Sequence, residues 1–449
     1  MTAYSPIDIG SLAARLAQAQ AGPQFPAQPP PGGRLIIRGG HAIDPRNQID
    51  TVLDVAIAGG RINEVAASIP AERGDRIINA DSLLVIPGLI DMHLHLHDLF
   101  EVSAAPILEA VSDGVAVGLT PGAGNTFMSP ALLGAEVDRG LPMNVGVYTG
   151  IPSALCTNAS KDELVLFFRG ELPPEVGLQK VTRNPITLLT APFTVGLKDH
   201  MGHFVLRDDY IDLAYAITAE AGMVFLSHTQ DPDHAERMVS RSHGRPVQLT
   251  HATAAGCGTH GDPAECMNRI IALVRDNDHV TADFVTSMLR PAAGRRDGLV
   301  MSAVAQELAY RALAEGLVRI LISDGQSDAT MKGFGSTQDN LPAIFELAEM
   351  GVLTLSEAIA TMTSNVSHHL AICTRQPWWE SALGHLGVGA RANVTIVDPL
   401  NRSAALVIVN GAIAAIEGRV IREAHGAGGF ASRSGWLART GVGDLPLYN

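Results

Sequence analysis

The sequence predicts an α/β protein with a (β/α)8 TIM-like barrel and a small β-sandwich domain built from both chain ends. The middle of the chain alternates apolar, strand-like runs with helix-compatible segments, which is typical of parallel βα units. Eight such runs can be counted, and eight parallel strands close a barrel of this kind. Short strand patterns with glycine turns flank this region on both sides, so the barrel is predicted to be inserted into the small domain.

These patterns divide the chain into five predicted segments. A short amphipathic helix precedes the proline-rich run PQFPAQPPPGG, whose composition favours an extended linker. The predicted segments are an N-terminal arm (1–32), a first β-sandwich segment (33–84), the catalytic barrel (85–375), a second β-sandwich segment (376–425) and a C-terminal tail (426–449).

The barrel region contains the predicted strands and the helices between them. The stretch from Glu171 to Pro192 is irregular and is compatible with either an extra strand or a long loop. The eight predicted strands are LIDMHLHL, GVAVGLTP, MNVGVYTG, FTVGLK, MVFLSH, PVQLTH, HVTADF and RILISD.

Composition narrows the class of protein. With 449 residues, 46% hydrophobic and 17% charged, the chain can bury a large core. A net charge of −14 without basic clusters argues against nucleic-acid and anionic-membrane partners. The four cysteines show no paired metal spacing, which favours a reducing compartment. With neither a secretory signal nor a long apolar run, we expect a cytoplasmic protein.

Two histidines near the end of the first predicted barrel strand are candidate metal ligands. His93 and His95 are two residues apart, so both side chains point to one face of a strand. Neutral imidazoles bind divalent ions, and barrel active sites form at the carboxyl ends of the strands. The alternative is an ordinary, hydrogen-bonded histidine pair.

Four later predicted strands also end in side chains that can bind a metal ion or can be modified to bind one. These are Lys198, His228, His251 and Asp324. Burying a polar side chain without a partner is costly, so a chance convergence of all of them at one edge is improbable. Taken singly, His228 or His251 is also compatible with an ordinary core histidine.

In this order of landmarks the sequence resembles the amidohydrolase superfamily, in particular its dihydroorotase, hydantoinase, D-aminoacylase and isoaspartyl-dipeptidase-like branches. The resemblance rests on PGLIDMHLH, the strand-4 lysine, the histidines of strands 5 and 6, the strand-8 aspartate, and the later runs TLSEAIATMTSN and GHLGVGARANVTIVD. It covers nearly the whole chain and is specific for the superfamily rather than for one substrate.

The resemblance implies a centre of two divalent ions. His93 and His95 would hold the more buried ion with Asp324, and His228 and His251 the more exposed one. Lys198 would be carboxylated to a bridging carbamate derived from CO2, since an unmodified ammonium has no lone pair. An unmodified lysine would leave a mononuclear or empty site. Zinc suits these ligands best, while Mn, Co, Fe and Ni also remain compatible.

The implied activity is hydrolysis of a non-peptide-chain amide bond in an N-acyl amino acid, a dipeptide-like amide or a small cyclic amide. The ions would activate a hydroxide, and Asp324, the predicted catalytic residue, would move its proton to the leaving nitrogen. Another hydrolase or deaminase of the superfamily and a non-catalytic scaffold are the alternatives. The resemblance also implies a homo-oligomer, either a dimer or a tetramer, in which the arm and tail could wrap a neighbour.

Substrate contacts are expected from the loops that follow the strands. Arg290 could pair with a substrate carboxylate, although an ordinary ion pair explains it equally well. The run DGQSDATMKGFG after Asp324 departs from the DHAPH-like run of typical dihydroorotases and hydantoinases, and is nearer to the isoaspartyl dipeptidase and D-aminoacylase style. The candidate contacts are His97, Asn125, Tyr148, His200, Thr259, His260, Met288, Arg290 and Lys332.

Overall fold

The architecture was obtained as a computed structural model. It describes residues 33–96, 107–121, 126–200, 206–291, 295–296, 299–325, 335–421 and 426–442. The expectations for the N-terminal arm (1–32), His97, Asn125 and Lys332 lie outside the described residues.

The described strands form two large sheets and one short hairpin. Their bounds are β1 (Leu35–Asp44), β2 (Ile49–Ala58), β3 (Arg61–Ala66), β4 (Arg76–Asn79), β5 (Leu84–Pro87), β6 (Leu89–Asp91), β7 (Val115–Thr120), β8 (Asn144–Gly150), β9 (Gly196–Asp199), β10 (Val224–His228), β11 (Val247–Thr250), β12 (Val280–Val285), β13 (Arg295–Arg296), β14 (Leu299–Val300), β15 (Ile320–Ile322), β16 (Val394–Asp398), β17 (Ser403–Val409), β18 (Ala412–Ile416), β19 (Arg419–Val420), β20 (Phe430–Ser432) and β21 (Gly435–Leu437).

Helices connect most of the central strands. Within the described stretches of the chain, none is both long and apolar enough to cross a bilayer. Their bounds are α1 (Ile107–Ser112), α2 (Ser129–Arg139), α3 (Ile151–Leu155), α4 (Lys161–Arg169), α5 (Pro174–Lys180), α6 (Pro185–Thr190), α7 (Asp208–Ala221), α8 (Pro232–Ser242), α9 (Pro263–Asp276), α10 (Thr286–Leu289), α11 (Ala303–Ala314), α12 (Asn340–Glu349), α13 (Leu355–Ala360), α14 (Ser364–Thr374) and α15 (Trp378–Ala382), with 3-10 turns at Ala191–Phe193, Ala252–Cys257 and Thr337–Asp339.

The central sheet is parallel and carries the eight predicted strands. Its hydrogen-bonded order is β6-β7-β8-β9-β10-β11-β12-β15, so these parallel strands are neighbours in the order in which they occur along the chain. Almost every residue of these strands is buried, as expected when helices cover a parallel sheet. The predicted α/β class and all eight predicted strands are therefore confirmed.

The two outer strands of this sheet approach each other just beyond their ends. Leu94 and Gly325 form a parallel bridge. The Asp324 N–H donates to the His93 carbonyl at 3.0 Å, and the His95 N–H donates to the Gly325 carbonyl at 3.2 Å. These bonds, rather than a continuous ladder among the described residues, link the segment after β6 to the segment after β15.

The second large sheet combines both ends of the chain, as predicted. Its order is β19-β18-β17-β16-β5-β1-β2-β3, with β4 paired to β1. The joint is the antiparallel pair β5–β16, in which Pro87 faces Val394. A separate hydrophobic core that includes Leu35, Ile57 and Ile396 packs on this sheet. Its division into the two layers of a sandwich stays a prediction.

The irregular stretch from Glu171 to Pro192 is helical, so the expectation of an extra strand or a long loop was wrong. Prolines stand in the first turns of α5 and α6, where a missing N–H costs no helical hydrogen bond. The Asn184 side chain accepts from the Ile186 N–H at 2.9 Å and caps α6.

A segment of the predicted C-terminal tail adds to the central sheet, which the sequence did not reveal. Strand β20 pairs with β8 in parallel and with β21 in an antiparallel hairpin. In the turn of this hairpin, the buried Arg433 donates to the carbonyls of Ala221 and Phe168 at 2.9 and 3.0 Å. These carbonyls lie at the C-terminal ends of α7 and α4, where a cation is favourable.

Candidate metal centre

The parallel sheet explains why distant residues meet at one edge. Strands that run in the same direction present their carboxyl ends together, and polar side chains placed there converge. Each of the six predicted ligands lies in a central strand or shortly after its end, and each is at most 6% exposed. They are His93, His95, Lys198, His228, His251 and Asp324.

Three of them form a compact group with the geometry of a metal site. The Nε2 atoms of His93 and His95 each lie 3.0 Å from Asp324 Oδ1. One ligand atom from each residue lies within 4.8 Å of the others. Burial raises the pKa of Asp324, but the close contacts with the ring nitrogens of both histidines outweigh it and hold that pKa well below its usual value. Asp324 is therefore an ionised carboxylate available to a cation.

Three of the histidines, His93, His228 and His251, are held in the neutral form that metals require. Burial lowers the pKa of His93 to about 4, although Asp324 opposes the shift. Burial also lowers the pKa values of His228 and His251 to well below the usual value. The positive charge of Lys198 contributes to the lowering in each case. At neutral pH each ring therefore keeps a lone pair for a ligand.

Two further candidate ligands, His251 and His228, lie next to this group. The ring of His251 lies 5.2 Å from that of His93 and 4.5 Å from that of His228, measured between centroids. Neither ring nitrogen of the buried His228 has a hydrogen-bond partner among the described residues. A buried imidazole without partners is unfavourable, and a bound ion would satisfy it. The donor set thus fits a metal in this half of the site as well.

Two predicted substrate contacts are buried in the protein. Tyr148 lies within β8 rather than in a loop and is 0% exposed, and burial raises its pKa well above the usual value. Met288 belongs to α10 and is 1% exposed. Both side chains pack in the main hydrophobic core.

Three other predicted contacts lie in or near the loops that follow the strands. The ring of His200 lies 5.1 Å from the ring of His228. Thr259 accepts from the Gln230 side chain at 3.0 Å, and His260 Nδ1 lies 3.9 Å from an oxygen of Asp231. His200 is therefore a neighbour of a candidate ligand, whereas Thr259 and His260 contact other loop residues.

Arg290 is engaged with carboxylates of its own chain. Its guanidinium makes two hydrogen bonds to Glu346, at 2.8 and 3.1 Å, and a third to Asp339. These bonds raise its pKa further above the usual value. A substrate carboxylate would therefore have to displace two existing partners.

A buried carboxylate on the first strand, Asp91, was missed by sequence reasoning. It accepts from the His93 N–H at 3.2 Å and from the Ser323 N–H at 3.2 and 3.3 Å. Burial raises its pKa to about 6. Because it joins the segments that carry His93 and Asp324, Asp91 holds the first and last strands together beneath the metal centre.

A second missed carboxylate, Asp283, lies on β12 and is fully buried. It accepts from the His251 N–H at 2.6 Å, from the Thr250 hydroxyl at 3.1 Å and from the Gln248 amide at 2.8 Å. Burial raises its pKa to about 7, while these three bonds oppose the shift. The only signal in the sequence was a lone aspartate inside the apolar run HVTADF.

Comparison with known proteins agrees with this geometry. A model described as the amidohydrolase family matches residues 84–419. Over 413 residues the chain is 26% identical to the dihydroorotase of Geobacter metallireducens, covering 81% of this chain and 90% of that protein.

Two solved structures share the fold. One is the dihydropyrimidinase from Brevibacillus agri, with a TM-score of 0.65 and 15% identity over 89% of this chain and 99% of that one. The other is the β-aspartyl dipeptidase from Fervidobacterium islandicum, with a TM-score of 0.60 and 17% identity over 87% of this chain and 99% of that one. At such low identities the likeness concerns the fold alone.

Proposed function

Because the chain belongs to the amidohydrolase family and is a hydrolase of carbon–nitrogen bonds other than peptide bonds, we propose that it opens a small cyclic amide at a centre of two divalent ions. The observation that carries this proposal is the convergence of His93, His95 and Asp324 with the rings of His251 and His228. Five potential ligands from four strands meet in one buried place.

In this proposal His93, His95 and Asp324 hold one ion, and His228 and His251 hold the other. Zinc suits imidazole and carboxylate ligands best. When bound, such ions would polarise the amide carbonyl and lower the pKa of the attacking water towards neutrality.

In this proposal Lys198 would carry a carbamate that supplies anionic oxygen ligands to the ions. The side chain is 1% exposed, so an unmodified ammonium at this position would be buried beside the ions. An ammonium offers no lone pair and would repel cations, whereas a carbamate provides two anionic oxygens. Carboxylation would therefore replace a side chain that repels the ions with one that can bind them.

Asp324 moves the proton during the reaction. Its carboxylate is ionised because its pKa is held well below the usual value. It can accept the proton of the attacking water and then donate it to the departing nitrogen, which is a poor leaving group until it is protonated. Its contacts with both His93 and His95 fix the position of the accepting oxygen.

The names of the relatives guide the choice of substrate. Dihydroorotase and dihydropyrimidinase are named for dihydropyrimidine rings, and matches to both cover most of this chain. A dipeptide-like or N-acyl amino acid amide is the second candidate, favoured by the run DGQSDATMKGFG and by the fold shared with a β-aspartyl dipeptidase.

We further propose that β15 and β6 complete a closed barrel and that the protein is a homo-oligomer. The Leu94–Gly325 bridge and its two neighbouring backbone bonds support closure. Size-exclusion chromatography with light scattering measures the assembly, and a monomer at all concentrations would contradict the second proposal.

The test is a substrate screen on protein supplied with zinc and bicarbonate. Dihydrouracil, hydantoins, dihydroorotate, β-aspartyl dipeptides and N-acyl amino acids are compared, and we expect turnover of a cyclic amide. Metal analysis is expected to give two ions per chain, and mass spectrometry is expected to show the added mass of one CO2 on Lys198. Protein that binds no metal and hydrolyses none of these compounds would refute the proposal.

A further inference from the structure

The ring of His93 is held at both nitrogens. Nε2 faces Asp324 Oδ1 at 3.0 Å, on the side of the candidate metal centre. Nδ1 lies 2.5 Å from the hydroxyl of Thr250, at the end of β11. Both contacts are fully buried. For Nε2 to bind a cation, Nδ1 must carry the hydrogen, so Thr250 has to act as the acceptor.

Thr250 in turn needs an acceptor for its own hydrogen. The carboxylate of Asp283 lies 3.1 Å from the hydroxyl oxygen. All three described partners of this carboxylate, the Thr250 hydroxyl, the Gln248 amide and the His251 N–H, are donors. In its ionised form Asp283 can only accept from them, so the Thr250 hydrogen then points to Asp283 and the lone pairs of the hydroxyl oxygen face His93.

We propose that Thr250 and Asp283 are positioning residues that fix the tautomer and orientation of His93 through one directed chain of hydrogen bonds. The chain runs from His93 Nδ1–H to the Thr250 hydroxyl and from that hydroxyl to Asp283. It leaves Nε2 as the metal-binding nitrogen. This inference rests on the proposed metal centre.

Asp283 also acts on the second half of the site. The same oxygen that accepts from Thr250 accepts from the backbone N–H of His251 at 2.6 Å. His251 has a φ of 45°, a left-handed conformation that a residue with a side chain adopts only when its surroundings hold it. Asp283 lies on a strand that carries no candidate metal ligand, and it therefore positions candidate ligands of both ions.

The test measures zinc affinity rather than turnover. Purified full-length protein and its variants are titrated with zinc against a chelator of known affinity, and unfolding is followed separately. Thr250→Val keeps the shape of the side chain but removes the hydroxyl, and we expect zinc to bind about 10- to 100-fold more weakly, as for other residues that orient a histidine ligand. Thr250→Ser retains the hydroxyl and should recover most of the parent affinity.

A matched control is available on another strand. Thr149 on β8 is as buried as Thr250, but its described hydroxyl partner is Thr194, at 3.5 Å, and not a candidate ligand. Thr149→Val should bind zinc like the parent. If it weakens zinc binding as much as Thr250→Val does, the effect comes from losing a buried hydroxyl in general and the proposed chain is wrong.

Asp283→Asn provides a second route if Thr250→Val does not fold. It retains the shape but removes the charge, so it should also weaken zinc binding. Folded Thr250→Val or Asp283→Asn protein with the parent affinity would overturn the inference and leave the proposed function intact. A parent protein that binds no zinc would instead refute the metal centre itself, and the inference with it.

Discussion

The two halves of the candidate centre differ in whether their polar atoms have hydrogen-bond partners within the protein. In the half formed by His93, His95 and Asp324, the polar atoms bond to one another and to Thr250. In the half that contains His228, the nitrogens of this ring are buried with no partner among the described residues. The first half is thus stable in itself, whereas the second gains its missing interaction only when a ligand binds.

This difference determines how each half of the candidate centre affects the stability of the metal-free protein. A hydrogen-bonded group keeps its geometry without an ion, although the ion must then replace some of those bonds. A group of unpaired nitrogens contributes a desolvation cost to folding until the ion arrives. Removing a ring from the first half should therefore destabilise the metal-free protein, whereas removing the His228 ring should not.

The largest effect is expected for Asp324, the residue proposed to carry the proton during the reaction. Asp324→Asn removes the proton carrier, so kcat/KM on the best substrate should fall about 100- to 10,000-fold. Steady-state kinetics with metal analysis checks this. Asp113→Asn is the control, since that half-buried carboxyl bonds to Thr337 rather than to a candidate ligand. An Asp324→Asn enzyme as fast as the parent would exclude the proton-carrier role.

The comparison of the halves is tested directly by replacing one histidine at a time with leucine in metal-free protein. His93→Leu leaves Thr250 and Asp324 without their partner, so we expect a loss of about 2–3 kcal/mol in the free energy of unfolding. His228→Leu removes two unpaired nitrogens and should be neutral or stabilising by about 1 kcal/mol. Urea denaturation after chelation measures both, and equal losses would show that the halves do not differ.

The pH dependence of the free energy of unfolding provides a second test of the difference between the two halves. Burial holds the pKa of His228 well below 6.5, so the unfolded chain takes up a proton first as the pH falls below about 6.5. The parent is therefore destabilised relative to His228→Leu on acidification. Between about pH 7 and about pH 5 this difference should grow by about 2 kcal/mol. A difference that is constant with pH would mean that His228 is not buried as a neutral ring.

The smallest effect is expected outside both halves, at Arg290. Its pairs with Glu346 and Asp339 are partly exposed, so Arg290→Met should lower the free energy of unfolding by only about 1 kcal/mol. The ratio of kcat/KM for dihydroorotate to that for dihydrouracil should not change. A selective loss with dihydroorotate would instead assign Arg290 to the substrate carboxylate.

The central strands and the positions of the candidate ligands could be predicted from the sequence for one reason. Uninterrupted apolar runs mark buried parallel strands, and a polar residue at the end of such a run is visible without knowing its neighbours. The predicted runs ending at His228 and His251 needed no further information. The six candidate ligands could therefore be predicted to lie at one edge of the sheet.

Other features depend on pairings that a single strand does not encode. Asp91 and Asp283 are defined by which N–H groups of neighbouring strands face them, and this is set by the register between strands. The pairing of β20 with β8 involves residues far apart in sequence and only one described register pair. The helices between Glu171 and Pro192 are too short to show a clear period.

The second large sheet couples the first described strands to strands near the end of the chain. Strand β5 finds its partner β16 only after the whole central region has been made. At roughly 5–20 residues per second, the ribosome needs on the order of 15–60 s for the intervening ~300 residues. Throughout that interval the edge of β5 is unpaired in the nascent chain, so stalled chains that end before β16 should depend strongly on chaperones to remain dispersed.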